Sequence, residues 1–230
     1  MIPPLAAQAW EFRARVERDA AVRFARLAEE IAAFDAGSPV PALMRKAAED
    51  ERRHELLCAE LAGTSTSAAG ETRLAPRSFG PRAAALYDTV AACCIAETES
   101  VATVTSLLAE DVGPRVREVL HEIARDEVVH AQMGWAHLAR EAAAIDVTFL
   151  SAFIPAMLAG TAGDLFTAAG PEEDLRRFGV LPASRRREIF VQTLREVVFP
   201  GLEQCGLSAR PACEWLEASL TSRTAAGSTG

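Results

Sequence analysis

The sequence predicts an all-α protein, an antiparallel four-helix bundle followed by additional C-terminal helices. Three observations carry this. Aromatic residues make up only 6 % of the chain, Ala is very frequent and β-branched runs are scarce, a composition that favours helix almost everywhere. Long stretches such as residues 6–36 hold neither Gly nor Pro. Two segments repeat one pattern, Asp50-Glu51-Arg52-Arg53-His54 and Asp126-Glu127-Val128-Val129-His130. The chain of 230 residues is long enough for one domain with a substantial core.

In order, helix one is expected from about Leu5 to Phe34, with Val16, Ala20, Phe24, Leu27, Ile31 and Phe34 at helical spacing. Asp35-Ala36-Gly37-Ser38-Pro39 stops it. Helix two runs from about Val40 to Leu61 and carries the first motif. From Ala62 to Pro81 the composition shifts to Gly, Ser, Thr and Pro, a connection long enough to cross from one hairpin to the next. Helix three runs from about Arg82 to Glu110 and is broken at Val112-Gly113-Pro114; helix four runs from about Arg115 to Ala144 and carries the second motif. Two hairpins in succession form a degenerate repeat, and together they make a bundle over residues 5–145. A fifth helix is expected from Phe149 to Thr167 with a kink at Pro155. A sixth, capped by Ser184, spans Ser184 to Glu203, and a seventh spans Ser208 to Leu220. The short links pack these helices, residues 146–221, on the bundle as a single domain 1–221, with residues 222–230 as a flexible polar tail.

The net charge of -8 argues against nucleic acid as a partner. Five Cys, an odd number with no CxxC, argue against a disulfide framework and for a reducing, cytoplasmic compartment. No apolar run is expected to reach the length of a membrane span, and Met1-Ile2-Pro3-Pro4 does not open a signal peptide.

The dipeptide Asp-Glu occurs only twice, each time with His three residues after the Glu. On a helix, i and i+3 share a face, so each carboxylate and imidazole project together. Two such pairs facing each other can hold two metal ions if helices one and three each add a carboxylate. On helix three, Glu97 lies in an apolar stripe with Val90, Cys93, Cys94, Val101, Val104 and Leu108, whereas Glu99 falls on the far side. The midpoint between Glu97 and the Glu127/His130 pair falls at the Val112-Gly113 turn, which levels them across the hairpin. On helix one, Glu17 shares the stripe of Ala20, Ala21, Phe24, Ala28 and Ile31, with Asp19, Glu29 and Glu30 pointing away. Four buried carboxylates without partners cost several kcal/mol each, and two divalent ions offset the charge of Glu17, Glu51, Glu97 and Glu127. His54 and His130 complete a nitrogen–oxygen set that suits iron or manganese. Asp50 and Asp126 are each placed to accept the other N–H of the histidine in the opposite motif.

At these residues the chain resembles the ferritin-like diiron-carboxylate superfamily, over roughly residues 10–140. The preceding acids Asp50 and Asp126 look like the outer acids of the bacterial multicomponent monooxygenases. Rubrerythrins share the spacing, but no rubredoxin-like Cys set is present; ferritins proper usually lack the second histidine motif. Length and the added helices look most like the aldehyde-deformylating oxygenases. The resemblance implies two iron ions (or an Fe/Mn pair), O2 as co-substrate, an external electron donor such as a ferredoxin or reductase, and a small apolar substrate in a monomer or homodimer. It implies an oxidase or oxygenase; the alternatives are an iron- or peroxide-handling protein without organic substrate and a non-catalytic helical module with a structural metal site. Phe24, Cys58, Cys94, Val101 and His137 are candidate pocket residues. For His137, seven residues after His130, a channel-lining role and a packing role are both open. His121 is expected at the surface, and Tyr87 lies nearly three turns before Glu97, too far to be taken as a radical site.

Overall fold

In the computed structural model, which describes residues 2–35, 37–64, 79–162, 164–167 and 173–227, the described chain is helical almost throughout, with no strand beyond one isolated bridge between Leu175 and Val180. Four long helices come first: α1 (Pro4–Phe34), α2 (Val40–Ala62), α3 (Pro81–Leu108) and α4 (Pro114–Ala144). Each has a Pro in its first turn, where the missing N–H would be unpaired in any case. The helix ends agree closely with the expected ones. The greater part of the connection between α2 and α3, residues 65–78, lies outside the described residues.

α1 packs along α2, α3 along α4, and the two hairpins meet through α1–α3 and α2–α4 contacts. Two apolar clusters give the direction of each helix. One holds Trp10 and Ala14 of α1, Cys58 and Ala59 of α2, Val104 of α3 and Ile123 of α4. The other holds Phe24 of α1, Met44 of α2, Cys93 of α3 and Met133 of α4. Along α1 and α4 the first cluster precedes the second; along α2 and α3 the order reverses. The chain therefore runs up, down, down, up. On all four helices the ligand positions Glu17, Glu51, Glu97 and Glu127 fall between the two clusters, so apolar layers close the acidic layer from both ends.

Two features of the second hairpin were not legible in the sequence. Residues Val90–Glu97 of α3 form a π-helical segment, and Glu97 is its last residue. Gly134 of α4 packs directly against Cys93: a Cβ built there would lie 2.1 Å from Cys93 Cβ. Only Gly allows this approach, which sets α3 against α4 one turn from Glu97 and one turn from His130. α3 also corrects the reading that no apolar run reaches membrane length. By length and mean hydropathy (1.2) it could cross a bilayer, but it packs here as a helix of the core and carries a buried acid.

The remaining helices are α5 (Thr148–Ala162), the short α6 (Asp164–Thr167), α7 (residues 183–204) and α8 (Arg210–Gly227). Pro155 falls where α5 changes character. The helix opens as a 3-10 segment, Thr148–Phe153, and Pro155 sits in the first turn of the α-helical part, where no hydrogen bond is lost. Ser184 does not cap α7; Pro182 holds the cap position, without a side-chain cap. The backbone helix of α8 continues through residues 222–227, which were read as tail; residues 228–230 lie outside the described residues. These helices pack on the first four through a third apolar cluster that includes Cys94, Ile95, Leu138 and Phe190. Trp10 Nε1 donates to the Phe178 carbonyl at 2.7 Å and Gly113 N to the Arg177 carbonyl at 2.8 Å, tying the later segment to α1 and to the α3–α4 turn.

Candidate metal centre

Each of the four long helices delivers one buried glutamate to the same layer: Glu17 from α1, Glu51 from α2, Glu97 from α3 and Glu127 from α4. His54 and His130 follow one turn after Glu51 and Glu127, on the same faces. Ligand atoms of Glu17, Glu51, His54 and Glu127 lie within 4.8 Å of one another, and so do those of Glu51, Glu97, Glu127 and His130. The six residues expected from the sequence thus form two overlapping groups, with Glu51 and Glu127 common to both.

The histidines are oriented. His54 Nδ1 faces Glu51 Oε2 at 3.4 Å, and its Nε2 lies 3.1 Å from Asp126 Oδ2 on the opposite motif. His130 Nδ1 lies 2.8 Å from Glu51 Oε1 and 3.3 Å from Glu127 Oε2, with Nε2 3.6 Å from Asp50 Oδ2. Both rings turn Nδ1 inward and Nε2 toward the acid of the other hairpin, but only His54 bonds to it: His130 Nε2 has no hydrogen-bond partner among the described residues, which corrects the expectation for Asp50. An acid that accepts Nε2–H leaves the Nδ1 lone pair for a metal. These acids stay ionised. Burial works to raise Asp126, but hydrogen bonds from Arg125 and His54 outweigh it and hold it at about 2. Burial likewise opposes ionisation of Asp50, and hydrogen bonds from Lys46 and Arg53 hold it below its ordinary value. Arg53 spans the pair, donating to both Asp50 and Asp126.

The acids of the centre itself are in a different state. Burial and the Glu127 charge push the Glu51 and Glu97 carboxyls well above the usual carboxylate range. Burial also works to raise Glu127, yet hydrogen bonds with Glu97 and His130, with the charges of Arg13 and His54, keep it ionised. Burial opposes charge on His130, but Glu127 and Glu51 bring it up to about 9. Glu51 is completely buried; its Oε1 meets the His130 ring nitrogen at 2.8 Å without hydrogen-bond alignment, and its Oε2 and His54 Nδ1 face each other at 3.4 Å, likewise without it. Unpaired buried acceptors of this kind are costly. Their convergence within ligand distance is what a pair of divalent ions would satisfy.

Two residues at the centre were missed in the sequence. Arg13 Nε donates to Glu17 Oε1 at 2.7 Å, and Arg13 Nη2 donates to Ser100 Oγ at 2.9 Å and lies 3.5 Å from Glu127 Oε1. Ser100 Oγ in turn donates to Glu127 Oε1 at 2.9 Å. The signal was present: Arg13 stands four residues before Glu17, on the same face of α1.

Of the candidate pocket residues, Phe24 packs its ring 5.5 Å from that of His130. Cys58 lies near enough to Glu17, Arg13 and Glu127 for their charges to act on its thiol, which burial pushes far up. Cys94 is a correction: it faces the cluster shared with α5 and α7. Val101 is a second correction, being only half-buried and outside the three apolar clusters. The displacement of Cys94 follows from the π-helical segment, whose wider turn shifts it around the axis relative to Glu97; Val101 follows Glu97 in the α-helical part and is not moved by it. His137 is buried and held neutral by that burial; it lines a cavity of about 350 Å³ with Met133, Arg140 and the α1–α2 turn, away from the acids. His121 is exposed.

Compared with family models, curated proteins and solved structures, the chain matches none.

Proposed function

We propose that the protein is a ferritin-like diiron-carboxylate oxidase or oxygenase that uses O2 to oxidise a small organic substrate. The observation that carries the reading is the pair of overlapping ligand groups sharing Glu51 and Glu127. Helix direction supports the architecture: up, down, down, up, with one long connection between the hairpins, is a four-helix bundle with a single crossover.

Glu17 and His54 would hold one ion, Glu97 and His130 the other, and Glu51 and Glu127 would contact both. Two nitrogens and four carboxylates suit iron or manganese over metals that seek thiolates. Bound iron supplies the electrons for reducing O2, and an external donor restores them. The chain contributes the rest. Asp126 orients the His54 imidazole, and Asp50 faces that of His130. Glu51 and Glu97 hold protons in the absence of metal and release them when metal binds. The apolar layers on either side exclude water from the acids.

Anaerobic titration with Fe(II), followed by metal analysis, is expected to saturate at two ions per chain. Exposure to O2 with a reductant then consumes O2, and an organic co-substrate raises the amount consumed. Uptake of many ions per chain would replace the reading by iron storage. Binding of none would overturn it.

A further inference from the structure

We infer that Arg13 and Ser100 are positioning residues of this centre: one hydrogen-bonded chain runs from Glu17 through Arg13 and Ser100 to Glu127 and fixes both acids where an ion would meet them. The inference rests on the two-metal reading above and deepens it, giving the acids of α1 and α4 a common support.

The direction of the chain is forced by its donors. A guanidinium only donates, and an ionised carboxylate only accepts. Arg13 Nε therefore donates to Glu17 Oε1 at 2.7 Å, and Nη2 donates to Ser100 Oγ at 2.9 Å. The hydroxyl hydrogen of Ser100 is then left for Glu127 Oε1, 2.9 Å away. Each link can form in one sense only, so the side chains hold one another's orientation. The helices supply the register. Arg13 stands one turn before Glu17 on α1, and Ser100 stands one turn after Glu97 in the α-helical part of α3. The chain takes up Oε1 of both acids, while Glu127 Oε2 faces His130 Nδ1 at 3.3 Å. Glu51, the other acid common to both ligand groups, has no such support: neither of its oxygens makes an aligned hydrogen bond among the described residues. The support is also uneven between the groups. Glu17 and Glu127 both belong to the group with Glu51 and His54, whereas only Glu127 belongs to the group with Glu51, Glu97 and His130. Partners that hold ligating carboxylates from outside raise metal affinity by fixing the ligands before the ion arrives. Loss of the chain therefore weakens both ions, and the ion of the Glu17 group more.

The test is stepwise titration with Mn(II) against a chromophoric chelator, on the unaltered protein, Ser100→Ala, Arg13→Gln and the double variant. Each single variant is expected to keep two ions per chain and to bind them about tenfold or more weakly. Both changes break one chain, so the double variant is expected to lie within about threefold of the weaker single variant; independent effects would multiply to about a hundredfold. Ser100→Thr keeps the hydroxyl and is expected to stay within about threefold of the unaltered affinity, which a role in packing alone would not do, since the added methyl alters the packing. In Arg13→Gln the larger loss is expected in the ion that Glu17→Ala removes. Multiplying effects would overturn the proposal, as would a Ser100→Thr as weak as Ser100→Ala, or a loss in Arg13→Gln confined to the ion that Glu97→Ala removes. If Arg13→Gln does not fold, Ser100→Ala against Ser100→Thr decides. Two ions bound at unaltered affinity in either single variant would remove the inference and leave the metal reading standing; no ions bound by the unaltered protein would remove both.

Discussion

The α1–α2 and α3–α4 hairpins bring the same donors to the centre, one carboxylate from the first helix and an Asp-Glu-x-x-His segment from the second, yet they handle charge and packing differently. On α1, Glu17 has a cation one turn away in Arg13 and accepts its hydrogen bond. On α3, Glu97 has no such cation among the described residues; it faces Glu127 and keeps its proton. α1 is α-helical throughout, whereas α3 widens into a π-helical segment that ends on Glu97 and lies against Gly134. A repeated ligand pattern therefore does not make two equal half-sites. The first half is balanced by a cation of the protein itself, and the second by a shared proton.

The largest break comes from the shared acids. Glu51→Ala and Glu127→Ala each remove a ligand from both groups, and each is expected to reduce bound metal from two ions per chain to none. If Glu51→Ala retains a full ion, the two groups do not depend on a shared carboxylate.

Next come the acids that belong to one half only. Glu97→Ala and Glu17→Ala are each expected to lose one ion and keep the other. Glu99→Ala is expected to keep both, because Glu99 is half-buried and accepts a hydrogen bond from Thr103 at 2.8 Å. Metal analysis of the three variants decides the assignment on α3. Retention of two ions by Glu97→Ala would refute it.

How much of this was legible can be read from the same residues. The motif acids, the histidines and the turn at Val112-Gly113 follow from helical spacing and from the cost of burying carboxylates, and both are local properties. The cross-pairing of His54 with Asp126 was also legible, since it needs only antiparallel motifs at one level. Cys94 was misplaced because a wheel of constant pitch does not anticipate the π-helical segment Val90–Glu97 in which it lies. Arg13 was overlooked because a basic residue on an otherwise apolar face reads as solvated until its partner is seen to be buried.

A smaller effect separates the outer acids. Asp126 lies 3.1 Å from His54 Nε2, and Asp50 lies 3.6 Å from His130 Nε2. Asp126→Asn is expected to weaken metal binding about 10–100-fold by releasing the ring orientation of His54. Asp50→Asn, acting over the longer distance, is expected at the low end of that range. Competition with a chromophoric chelator measures both, and a larger effect for Asp50→Asn would reverse the comparison.

The smallest effect is the pH dependence of the metal-free protein. Glu51 and Glu97 have raised carboxyls in the folded state, so their contribution is fully present below the ordinary glutamate value of about 4.3 and is lost as pH rises through the folded values. His130 is raised to about 9, so its contribution is present below about 6.5 and is lost as pH climbs toward 9. Glu127 and Asp126 are depressed, and their contribution is already complete above pH 5. Above about pH 6.5 the remaining slope has one sign; below it His137, lowered by burial, works the other way. The melting temperature of metal-free protein is expected to fall between about pH 6.5 and pH 9. Metal displaces the same protons, so the loaded protein should show a flatter profile and bind its ions more tightly as pH rises. Glu97→Gln removes one of the raised groups and should flatten part of the metal-free slope. A metal-free melting temperature that rises from about pH 6.5 to pH 9 would mean that the second half of the centre is not held together by shared protons.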